Sequence, residues 1–428
     1  MTQSAATTEV TRAAAAIAEC RLIADMSEEL GRTTRRFLTS PVGQVHAHLR
    51  RRMEALGMSV TVDAAGNLRG LWQPTSTPRQ RLSGRLILGS HTDTVPDAGA
   101  FDGVLGVVLA LQLVESAQSE SLAFDIEVIA FSEEEGVRFG VPFLGSRAVA
   151  GRFDPALLAL RDADGVSMDE AIRNFGLNPG ELDNATAGEA IGFFEIHIEQ
   201  GPVLEAEGLA LGVVTGIVGQ TRCEITFSGQ ANHAGTTPMH LRQDALAAAA
   251  EWITAVEATA RQHAQSSVDP GLVATVGKMN IEPNAGNVIP GKVRVSLDLR
   301  SERDSVREAA VEELLDRARS IAERRRISCE IRRQMEQPSV PMDEQLTSLL
   351  SDAVEASGFP ARRMPSGAGH DAMVMATRIP SAMLFLRSPG GVSHHPAETV
   401  LEDDVEAAIK AGELFLRRVN DHLRIQPN

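Results

Sequence analysis

Five side chains of metal-binding type lie on or just after separate strand-like segments of the chain: His91, Asp102, Glu135, His197 and His394. Imidazole and carboxylate ligands suit borderline divalent ions such as Zn²⁺ or Mn²⁺, and five ligands are too many for one tetrahedral site. Two ions that share one carboxylate would use all five. The spacing therefore predicts His91, Asp102 and His197 around one ion, with Asp102, Glu135 and His394 around the other.

Two more acidic residues extend this pattern. Glu134 precedes Glu135 and is the candidate general base, because a carboxylate beside an acidified water can accept its proton and later deliver it to a departing nitrogen. Asp93, two residues after His91, is suited to accept the free ring N–H of that histidine and fix its tautomer. Taken singly, each residue has a structural alternative, a solvated turn for the acidic run and a turn cap for Asp93.

The elements that must position these residues are strands that end at one edge of a sheet. The run Leu86–Leu88 reads as a buried strand, and an apolar helix is expected at about 105–114. FDIEVIAF (124–131) and FFEIHI (193–198) read as two further strands. Open α/β sheets hold their chemistry at strand ends, so we expect the site there.

A different element order begins near Gly216. Strands at about 221–227, 272–279, 292–299 and 327–332, with helices at 244–260 and 306–324, give a βαββαβ order typical of a ferredoxin-like sandwich. The predicted fold class is α/β, a mixed-sheet di-metal hydrolase domain with an inserted α+β lid or dimerisation domain. We expect the catalytic domain at 1–215 and 336–428, and the lid at 216–335.

Bulk composition narrows the functional classes. The 428 residues favour two domains, and the net charge of −16 argues against nucleic-acid and anionic-membrane partners. The three cysteines, Cys20, Cys223 and Cys329, form no paired metal spacing and imply no disulfide framework. A basic leader and an 18-residue apolar window are both absent from the sequence. We expect a soluble cytoplasmic protein with a small-molecule ligand.

Several strings together make the sequence recognisable. GSHTDTVPDAGAFDG, AFSEEEGVRF, EIHIEQGPVLE, GQANHAGTTPM, NAGNVIPG, DLRS, SGAGHDAM and GGVSHHPAE resemble the di-metal amidases of the hydantoinase/carbamoylase family. The resemblance runs from about Phe37 to Leu416. It implies the same five metal ligands and the acid/base Glu134. It also implies two divalent ions per subunit, Zn²⁺ or Mn²⁺ with Co²⁺ or Ni²⁺ as alternatives.

The resemblance also implies substrate contacts and a partner. It places substrate contacts at Gln200, His233, Asn287 and Arg300, and the last three reach the active site of the other subunit of a homodimer. The glycine-rich segment that contains Gly369 can present backbone N–H groups to a substrate carboxylate, with His370 supporting it from behind. Arg300 can grip a carboxylate bidentately, and His233 can donate to an oxyanion. Their structural alternatives are a surface ion pair for Arg300, a turn residue for His233 and an Asx turn for Asn287.

Two departures from the family pattern affect the assignments. His395 stands where many members have Asn, so the choice of His394 as ligand rests on its alignment with the preceding serine. Glu133 extends the usual acidic pair to three, so Glu134 and Glu135 are assigned by counting back from Gly136.

The family shares attack of water on a ureido or amide carbon beside a carboxylate-bearing centre. The strings VIAFSEEEGVRF, GQTR, MLFLRSPGGVSHHPAE and LEDDV are most similar to allantoate amidohydrolases. Allantoate is therefore the expected substrate, and N-carbamoyl-L-amino acids are the alternative. The alternatives from other functional classes are an inactive metal-binding dimeric scaffold and a peptidase or deacylase.

Overall fold

The computed structural model describes residues 11–74, 84–266 and 271–425. The chain divides into two compact units. Unit 1 comprises Met1–Thr215, Met342–Arg363 and His370–Asn428, and unit 2 comprises Gly216–Pro341 and Met364–Gly369. Within the described residues, no helix combines the length and the apolar character that crossing a bilayer requires.

Unit 1 is built on a mixed sheet with helices packed against it. Its helices are α1 (Arg12–Ala24), α2 (Ser40–Ala55), α3 (Val104–Ala117), α4 (Leu144–Val149), α5 (Met168–Asn174), α6 (Val203–Glu207), α9 (Glu344–Ala356), α10 (Asp371–Met375) and α11 (Glu402–Ile425). The sheet's strands are β1 (Ser59–Val62), β2 (Leu68–Trp72), β3 (Arg85–His91), β4 (Asp125–Phe131), β5 (Ala190–Ile198), β6 (Leu211–Ile217), β14 (Val340–Pro341), β15 (Arg362–Ser366) and β16 (Ser381–Leu386). Of these, β14 and the ends of β6 and β15 fall within the residue ranges of unit 2.

The strand order of this sheet is β1-β2-β4-β3-β5-β16-β6-β14, and β15 also pairs with β6. The four central strands β4, β3, β5 and β16 run parallel, and their neighbours β2 and β6 run antiparallel. Because parallel strands end at the same edge, the segments that follow β3, β4, β5 and β16 share one side of the sheet. The predicted mixed α/β fold is confirmed.

Helix α3 packs directly on the central strands of this sheet. Twelve of its fourteen residues are buried, so it packs on all sides, as its apolar sequence predicts. Gly106 lies directly against the carbonyl oxygen of Ile196, and a Cβ at this position would overlap it. The helix can therefore sit close to β5. Large-to-small changes in a core of this kind typically cost about 2–5 kcal/mol of stability.

Unit 2 has one five-stranded antiparallel sheet and two long helices. The elements are β7 (Gly219–Ser228), β8 (Asn232–His233), α7 (Ala245–Ser266), β9 (Leu272–Thr275), β10 (Met279–Glu282), β11 (Val288–Ile289), β12 (Lys292–Ser301), α8 (Asp304–Arg324) and β13 (Ser328–Gln337). The order β10-β12-β7-β13, with β9 beside β12, is that of a ferredoxin-like sandwich. A small separate ribbon pairs β8 with β11.

Alternation along the strands of unit 2 separates an apolar face from a polar face. Cys223, Ile225 and Phe227 of β7 join α7 and α8 in the core, while the intervening residues lie on the other face. The strand expected at 272–279 is two strands, β9 and β10, which both pair with β12. The break falls at Gly277, a residue that disfavours a continuous strand.

Candidate functional site

The parallel strands of unit 1 bring the predicted ligands to one edge. His91 is the last residue of β3 and pairs in register with Phe131, the last residue of β4. Glu134 and Glu135 lie three and four residues after the end of β4, and His197 is the penultimate residue of β5. Residues from separate parts of the sequence therefore meet because the strands that carry them are neighbours.

Asp102 lies at the centre of the cluster. Its Oδ1 is 3.5 Å from Nε2 of His91 and 3.2 Å from Nε2 of His197, and its Oδ2 is 3.2 Å from Nε2 of His394. His394 Nε2 is also 3.6 Å from Oε1 of Glu135. The two carboxylate oxygens of Asp102 thus face two different groups of side chains. This is the geometry expected of a carboxylate shared between two ions.

Backbone carbonyls determine the tautomers of two of these histidines. His91 Nδ1 is 3.0 Å from the carbonyl oxygen of Asp93, and His197 Nδ1 is 2.9 Å from that of Ile198. A carbonyl only accepts, so each Nδ1 carries a proton, and in the neutral form of each ring Nε2 then presents a lone pair. Those two Nε2 atoms lie 3.5 Å apart beside Asp102 Oδ1. Three acceptors at this separation call for a positive charge between them.

The ionised state of Asp102 also indicates a site for a positive ion. Burial raises the pKa of Asp102, but the close contacts with the imidazoles of His197, His394 and His91 outweigh burial and hold the pKa well below its usual value. In the described part of the chain, the buried Oδ1 of Asp102 has no hydrogen-bond partner of good geometry. An ionised, buried and unsatisfied oxygen that faces two imidazole lone pairs fits a divalent cation.

Four groups of three residues, all within the described residues, have ligand atoms within 4.8 Å of one another. Two of these groups are the predicted sets, His91 with Asp102 and His197, and Asp102 with Glu135 and His394. The other two are His91-Glu134-Glu135 and Glu195-His197-His370. The donor set is imidazole and carboxylate throughout, so the residues present suit Zn²⁺ or Mn²⁺.

His395, the alternative ligand, is engaged elsewhere. Its Nδ1 accepts a hydrogen bond from the backbone N–H of Ala397 at 3.1 Å. His394 has a positive φ of 55°, as do Gln200 (57°) and Glu133 (50°). Non-glycine residues in this region carry backbone strain, and such strain concentrates at functional sites.

Gly103 allows Asp102 and His91 to approach each other. It has a φ of +67°, and a Cβ at this position would overlap the imidazole of His91. It directly precedes α3, so the chain turns sharply between Asp102 and the helix. A glycine is required at this point for both conformational and steric reasons.

The acidic turn after β4 is buried, unlike a solvated turn. Burial raises the pKa of Glu134 well above its usual value; His91 opposes this shift, and the charges of Glu135 and Asp371 reinforce it. Burial, together with the charge of Asp102, also raises the pKa of Glu135 to about 7. A carboxylate with a raised pKa is a better proton acceptor near neutral pH.

Asp93 holds this turn by a contact that the sequence did not predict. Its two carboxylate oxygens accept hydrogen bonds from the backbone N–H groups of Glu134 and Glu135, each at 3.0 Å. The acceptor for His91 Nδ1 is the backbone carbonyl of Asp93, and the nearer carboxylate oxygen is 3.6 Å away. Asp93 therefore supports the histidine and the acidic turn together.

Glu133 holds the same turn from a second side. Its side chain is fully buried and accepts hydrogen bonds from the backbone N–H groups of Phe37 (3.0 Å) and Arg138 (2.8 Å). The sequence alone does not reveal this buried role of Glu133. The one hint in the sequence is the run of three consecutive acidic residues, because a run of this length can turn one side chain, here the one before Glu134, towards the interior.

Gln200 and Glu398 surround Asp102. Gln200 Nε2 donates to Asp102 Oδ2 at 2.9 Å and to Ser393 Oγ at 3.1 Å. Glu398, which the sequence analysis did not single out, accepts from the backbone N–H groups of Phe101 and Asp102, each at 3.0 Å. It also accepts from Ser393 at 3.2 Å. The loop that carries Asp102 is thus fixed by Glu398.

His370 lies behind the cluster. It is 1% exposed, and its ring packs edge-to-face on His197 with a centroid distance of 4.5 Å. Burial lowers the pKa of His370 well below its usual value, so the ring is neutral at physiological pH. Glu195, also buried, accepts from Ser90 Oγ (2.8 Å) and from the N–H of Ala372 (2.9 Å).

The remaining predicted substrate residues belong to unit 2. His233, the last residue of β8, and Asn287, which precedes β11, are both exposed, and the N–H of Ala234 donates to the carbonyl of Asn287 at 2.9 Å. His233 Nδ1 accepts from the N–H groups of Gly235 (3.1 Å) and Thr236 (3.2 Å). Because Nδ1 is an acceptor, the proton is on Nε2, which leaves His233 an outward N–H donor.

Arg300 is held by its own strand neighbours. Its Nε and one terminal nitrogen donate to Asp298 at 2.9 and 3.1 Å, and the other terminal nitrogen donates to the carbonyl of Gly367 at 2.7 Å. Gly369 lies two residues further along and is exposed. The guanidinium is therefore fixed in place with part of its donor capacity still free.

Arg387, in a string that resembles allantoate amidohydrolases, has a structural contact. It makes a bidentate pair with Asp404, with both N···O distances at 2.8 Å, and this pair ties the end of β16 to α11. Asp404 is 2% exposed. Pairs of this geometry are strong, so Arg387 anchors the loop that leads to His394.

Comparison with known proteins places this architecture in a family. Residues 87–418 match the model of peptidase family M20/M25/M40. The allantoate deiminase of Arabidopsis thaliana is 38% identical over 423 residues, which cover 92% of this chain and 80% of the relative. The N-carbamoyl-L-amino acid amidohydrolase of Geobacillus stearothermophilus is 39% identical over 356 residues, covering 82% of this chain and 85% of the relative.

A solved structure agrees with both. The hydantoinase/carbamoylase family amidase of Burkholderia multivorans superposes with a TM-score of 0.87 at 31% identity, covering 95% of this chain and 98% of that one. The predicted family resemblance is confirmed. The chain belongs to peptidase family M20/M25/M40 and, within it, to the hydantoinase/carbamoylase amidases, and it is a metal-dependent hydrolase that acts on C–N bonds.

Proposed function

We propose that this protein hydrolyses one ureido arm of allantoate to give ureidoglycine, ammonia and carbon dioxide. The observation that carries the hydrolytic part is Asp102, whose two oxygens face separate imidazole groups beside the buried Glu134. The substrate is supported by the strings shared with allantoate amidohydrolases and by the Arabidopsis relative. N-carbamoyl-L-amino acids are the second candidate, since the Geobacillus relative is equally similar.

We assign two divalent ions, Zn²⁺ or Mn²⁺, to the two predicted ligand sets around Asp102. Bound there, such ions supply an acidified water and polarise the carbonyl that is attacked. Gln200 donates to Asp102 in this structure.

Glu134 is assigned the proton transfers. It accepts a proton from the attacking water, whose oxygen bonds to the ureido carbon, and it delivers that proton to the departing nitrogen as the C–N bond breaks. The amino group leaves as ammonia, and the carbamate that remains loses carbon dioxide to give the amine. One water is consumed in all, and both the raised pKa and the burial of Glu134 suit this role.

The residues of unit 2 are assigned to substrate binding. The Nε2–H of His233 is the donor for the oxyanion that forms when water adds to the carbonyl. Arg300 binds the carboxylate of the substrate, and Asn287 offers its amide. We also propose that the protein is a homodimer in which these residues complete the neighbouring active site, that unit 2 is its lid and dimerisation domain, and that it acts in the cytoplasm.

A substrate panel tests this function. Purified protein loaded with Mn²⁺ is assayed for ammonia release from allantoate, ureidoglycolate, N-carbamoyl-β-alanine and N-carbamoyl-L-amino acids, with dipeptides as the comparison. We expect the highest kcat/KM for allantoate. A clearly higher value for N-carbamoyl-L-amino acids would transfer the assignment to them. Cleavage of dipeptides alone would identify a peptidase, and no turnover of any compound by metal-loaded protein would favour the scaffold.

A further inference from the structure

Arg35 is a long charged side chain that is completely buried inside unit 1, with an exposure of 0%. The three hydrogen bonds of its guanidinium go to backbone carbonyls. Nε donates to Thr92 at 2.5 Å, and one terminal nitrogen donates to Ile23 at 3.1 Å and to Met26 at 2.9 Å. The other terminal nitrogen has no hydrogen-bond partner among the residues that the structure describes. An arginine is rarely buried to this extent without a carboxylate, so its position calls for an explanation.

The backbone of Arg35 is attached to the loop after β3 as well. Its N–H donates to Oγ1 of Thr94 at 3.0 Å, and its carbonyl accepts from the N–H of Thr94 at 3.0 Å. The guanidinium holds the carbonyl of Thr92 in the same loop. Arg35 therefore fixes both chain neighbours of Asp93, one through its side chain and the other through its backbone.

The segment around Arg35, residues 33–37, extends this attachment at both of its ends. Thr33 forms an antiparallel bridge with Ala98, and the N–H of Ala98 donates to the carbonyl of Thr33 at 2.8 Å. At the other end, the N–H of Phe37 donates to the buried carboxylate of Glu133 at 3.0 Å. The segment thus contacts the loop that follows β3 and the acidic turn that follows β4, and Arg35 lies between these two attachments.

The charge of Arg35 is also matched to this position. Burial lowers the pKa of Arg35 to about 10, and the charge of Asp93 opposes that shift, so the guanidinium stays protonated at neutral pH. A permanent positive charge therefore lies close to Asp93, the buried carboxylate that accepts the N–H groups of Glu134 and Glu135. Both the hydrogen bonds and the charge of Arg35 are directed at the surroundings of Asp93.

We propose that Arg35 is a positioning residue for the metal edge of unit 1, an inference that rests on the proposed function of that edge. Arg35 fixes the two neighbours of Asp93, and Asp93 in turn orients His91 through its carbonyl and the acidic turn through its carboxylate. A lysine at position 35 would keep the positive charge. Its single ammonium nitrogen would replace a planar fork whose nitrogens face two separate elements, the end of α1 and the loop after β3.

The test uses Arg35→Lys, with Arg85→Lys as the matched control. Arg85 is the first residue of β3, donates to Glu127 at 3.0 Å and lies about 20 Å along the strand from His91. Both variants are assayed, in protein shown to be folded by a thermal melt, on the compound that the wild type hydrolyses fastest in the substrate panel. For Arg35→Lys we expect kcat to fall about 10- to 100-fold, with a change in KM of less than about threefold. Arg85→Lys should change neither.

Metal affinity is measured separately from turnover, by calorimetric titration of metal-free protein with Mn²⁺. Arg35→Lys should weaken the Kd for Mn²⁺ at least about tenfold, because His91 and the acidic turn lose their common support, and Arg85→Lys should leave it unchanged. Wild-type values of both kcat and Kd in folded Arg35→Lys would overturn the inference. If the wild type hydrolyses no compound of the panel, the proposed function falls, and the Kd for Mn²⁺ still decides the role of Arg35.

A double-mutant cycle tests the route through Asp93. Because Arg35 acts on the edge through Asp93, adding Arg35→Lys to Asp93→Asn should lower kcat further by less than about threefold. A purely structural effect of Arg35 would instead multiply the two losses, and that result would overturn the proposed route.

Thr94→Val tests the same attachment if Arg35→Lys does not fold. Valine is close in shape to threonine but removes the Oγ1 that accepts from the N–H of Arg35. We expect kcat to fall about three- to tenfold, the loss that one hydrogen bond typically causes. An unchanged kcat in Thr94→Val would overturn the inference.

Discussion

Asp93 and Glu134 are joined by a hydrogen bond of 3.0 Å from the backbone N–H of Glu134 to the carboxylate of Asp93. The second oxygen of Asp93 binds the next N–H, that of Glu135, at the same distance. Asp93 also orients His91 through its backbone carbonyl. This one residue therefore positions both the candidate base Glu134 and the candidate ligand Glu135.

This relationship predicts the behaviour of Asp93→Asn. An asparagine offers one acceptor where the aspartate offers two, so one buried N–H loses its partner and the acidic turn loosens. We expect kcat to fall at least about tenfold with a smaller change in KM, measured as ammonia release. The control is Asp63→Asn, because Asp63 also accepts two backbone N–H groups, those of Ala65 and Asn67, in a hairpin turn.

Comparing the two variants separates positioning from general stability. Both should lower the melting temperature: Asp93→Asn leaves one backbone N–H unsatisfied, and Asp63→Asn loses the oxygen that accepts from Asn67 Nδ2 and pairs with Arg69. Only Asp93→Asn should reduce kcat in protein that is fully folded at the assay temperature. Equal kcat values for the two variants would contradict a positioning role.

Glu134→Gln tests the proton-transfer role. The amide is nearly isosteric but cannot accept the proton, so we expect kcat to fall more than about 10²-fold while the metal content and the melting temperature stay close to wild type. Elemental analysis and a thermal melt accompany the assay. Activity near the wild-type level in metal-loaded protein would remove Glu134 from the mechanism.

His46 predicts a pH dependence of stability that is separate from the catalytic site. It is 6% exposed in α2, packs edge-to-face on Phe175, and burial, with a contribution from Arg50, lowers its pKa from 6.5 to about 4. The unfolded chain binds this proton more tightly than the folded protein. The stabilising effect of His46 is therefore complete above about pH 6.5 and is lost as the pH falls towards 4.

The pKa shift of His46, from 6.5 to about 4, corresponds to about 3 kcal/mol in the free energy of unfolding. Urea unfolding of metal-free protein between pH 7 and pH 4.5 measures it, and a chelator removes the contribution of metal release. His46→Leu should show a shallower decline over this range. A decline as steep as that of the wild type would mean that other groups control acid stability.

Much of the fold and site was predictable because local patterns carried the information. Short apolar runs that end in polar residues indicated β3, β4 and β5. Three residues of metal-binding type, His91, Glu135 and His197, lie at or shortly after the ends of these runs. The βαββαβ order of unit 2 was visible from periodicity alone. The family resemblance then agreed with the residues chosen from spacing.

Contacts set by tertiary packing were not predictable. No local pattern shows that Glu133 turns inward onto the N–H groups of Phe37 and Arg138, or that Asp93 uses its carbonyl for His91 and its carboxylate for the turn. The attachment of Arg35 to Thr92 and Thr94 likewise joins segments that are far apart in the sequence.

The central claim is that Asp102 bridges two divalent ions held by the other four ligands. Anomalous diffraction from crystals grown with Mn²⁺ measures this directly. We expect two peaks per chain on either side of Asp102, roughly 3.5–4 Å apart, one near His91 and His197 and one near Glu135 and His394. A single peak, or two peaks that do not share Asp102, would contradict it.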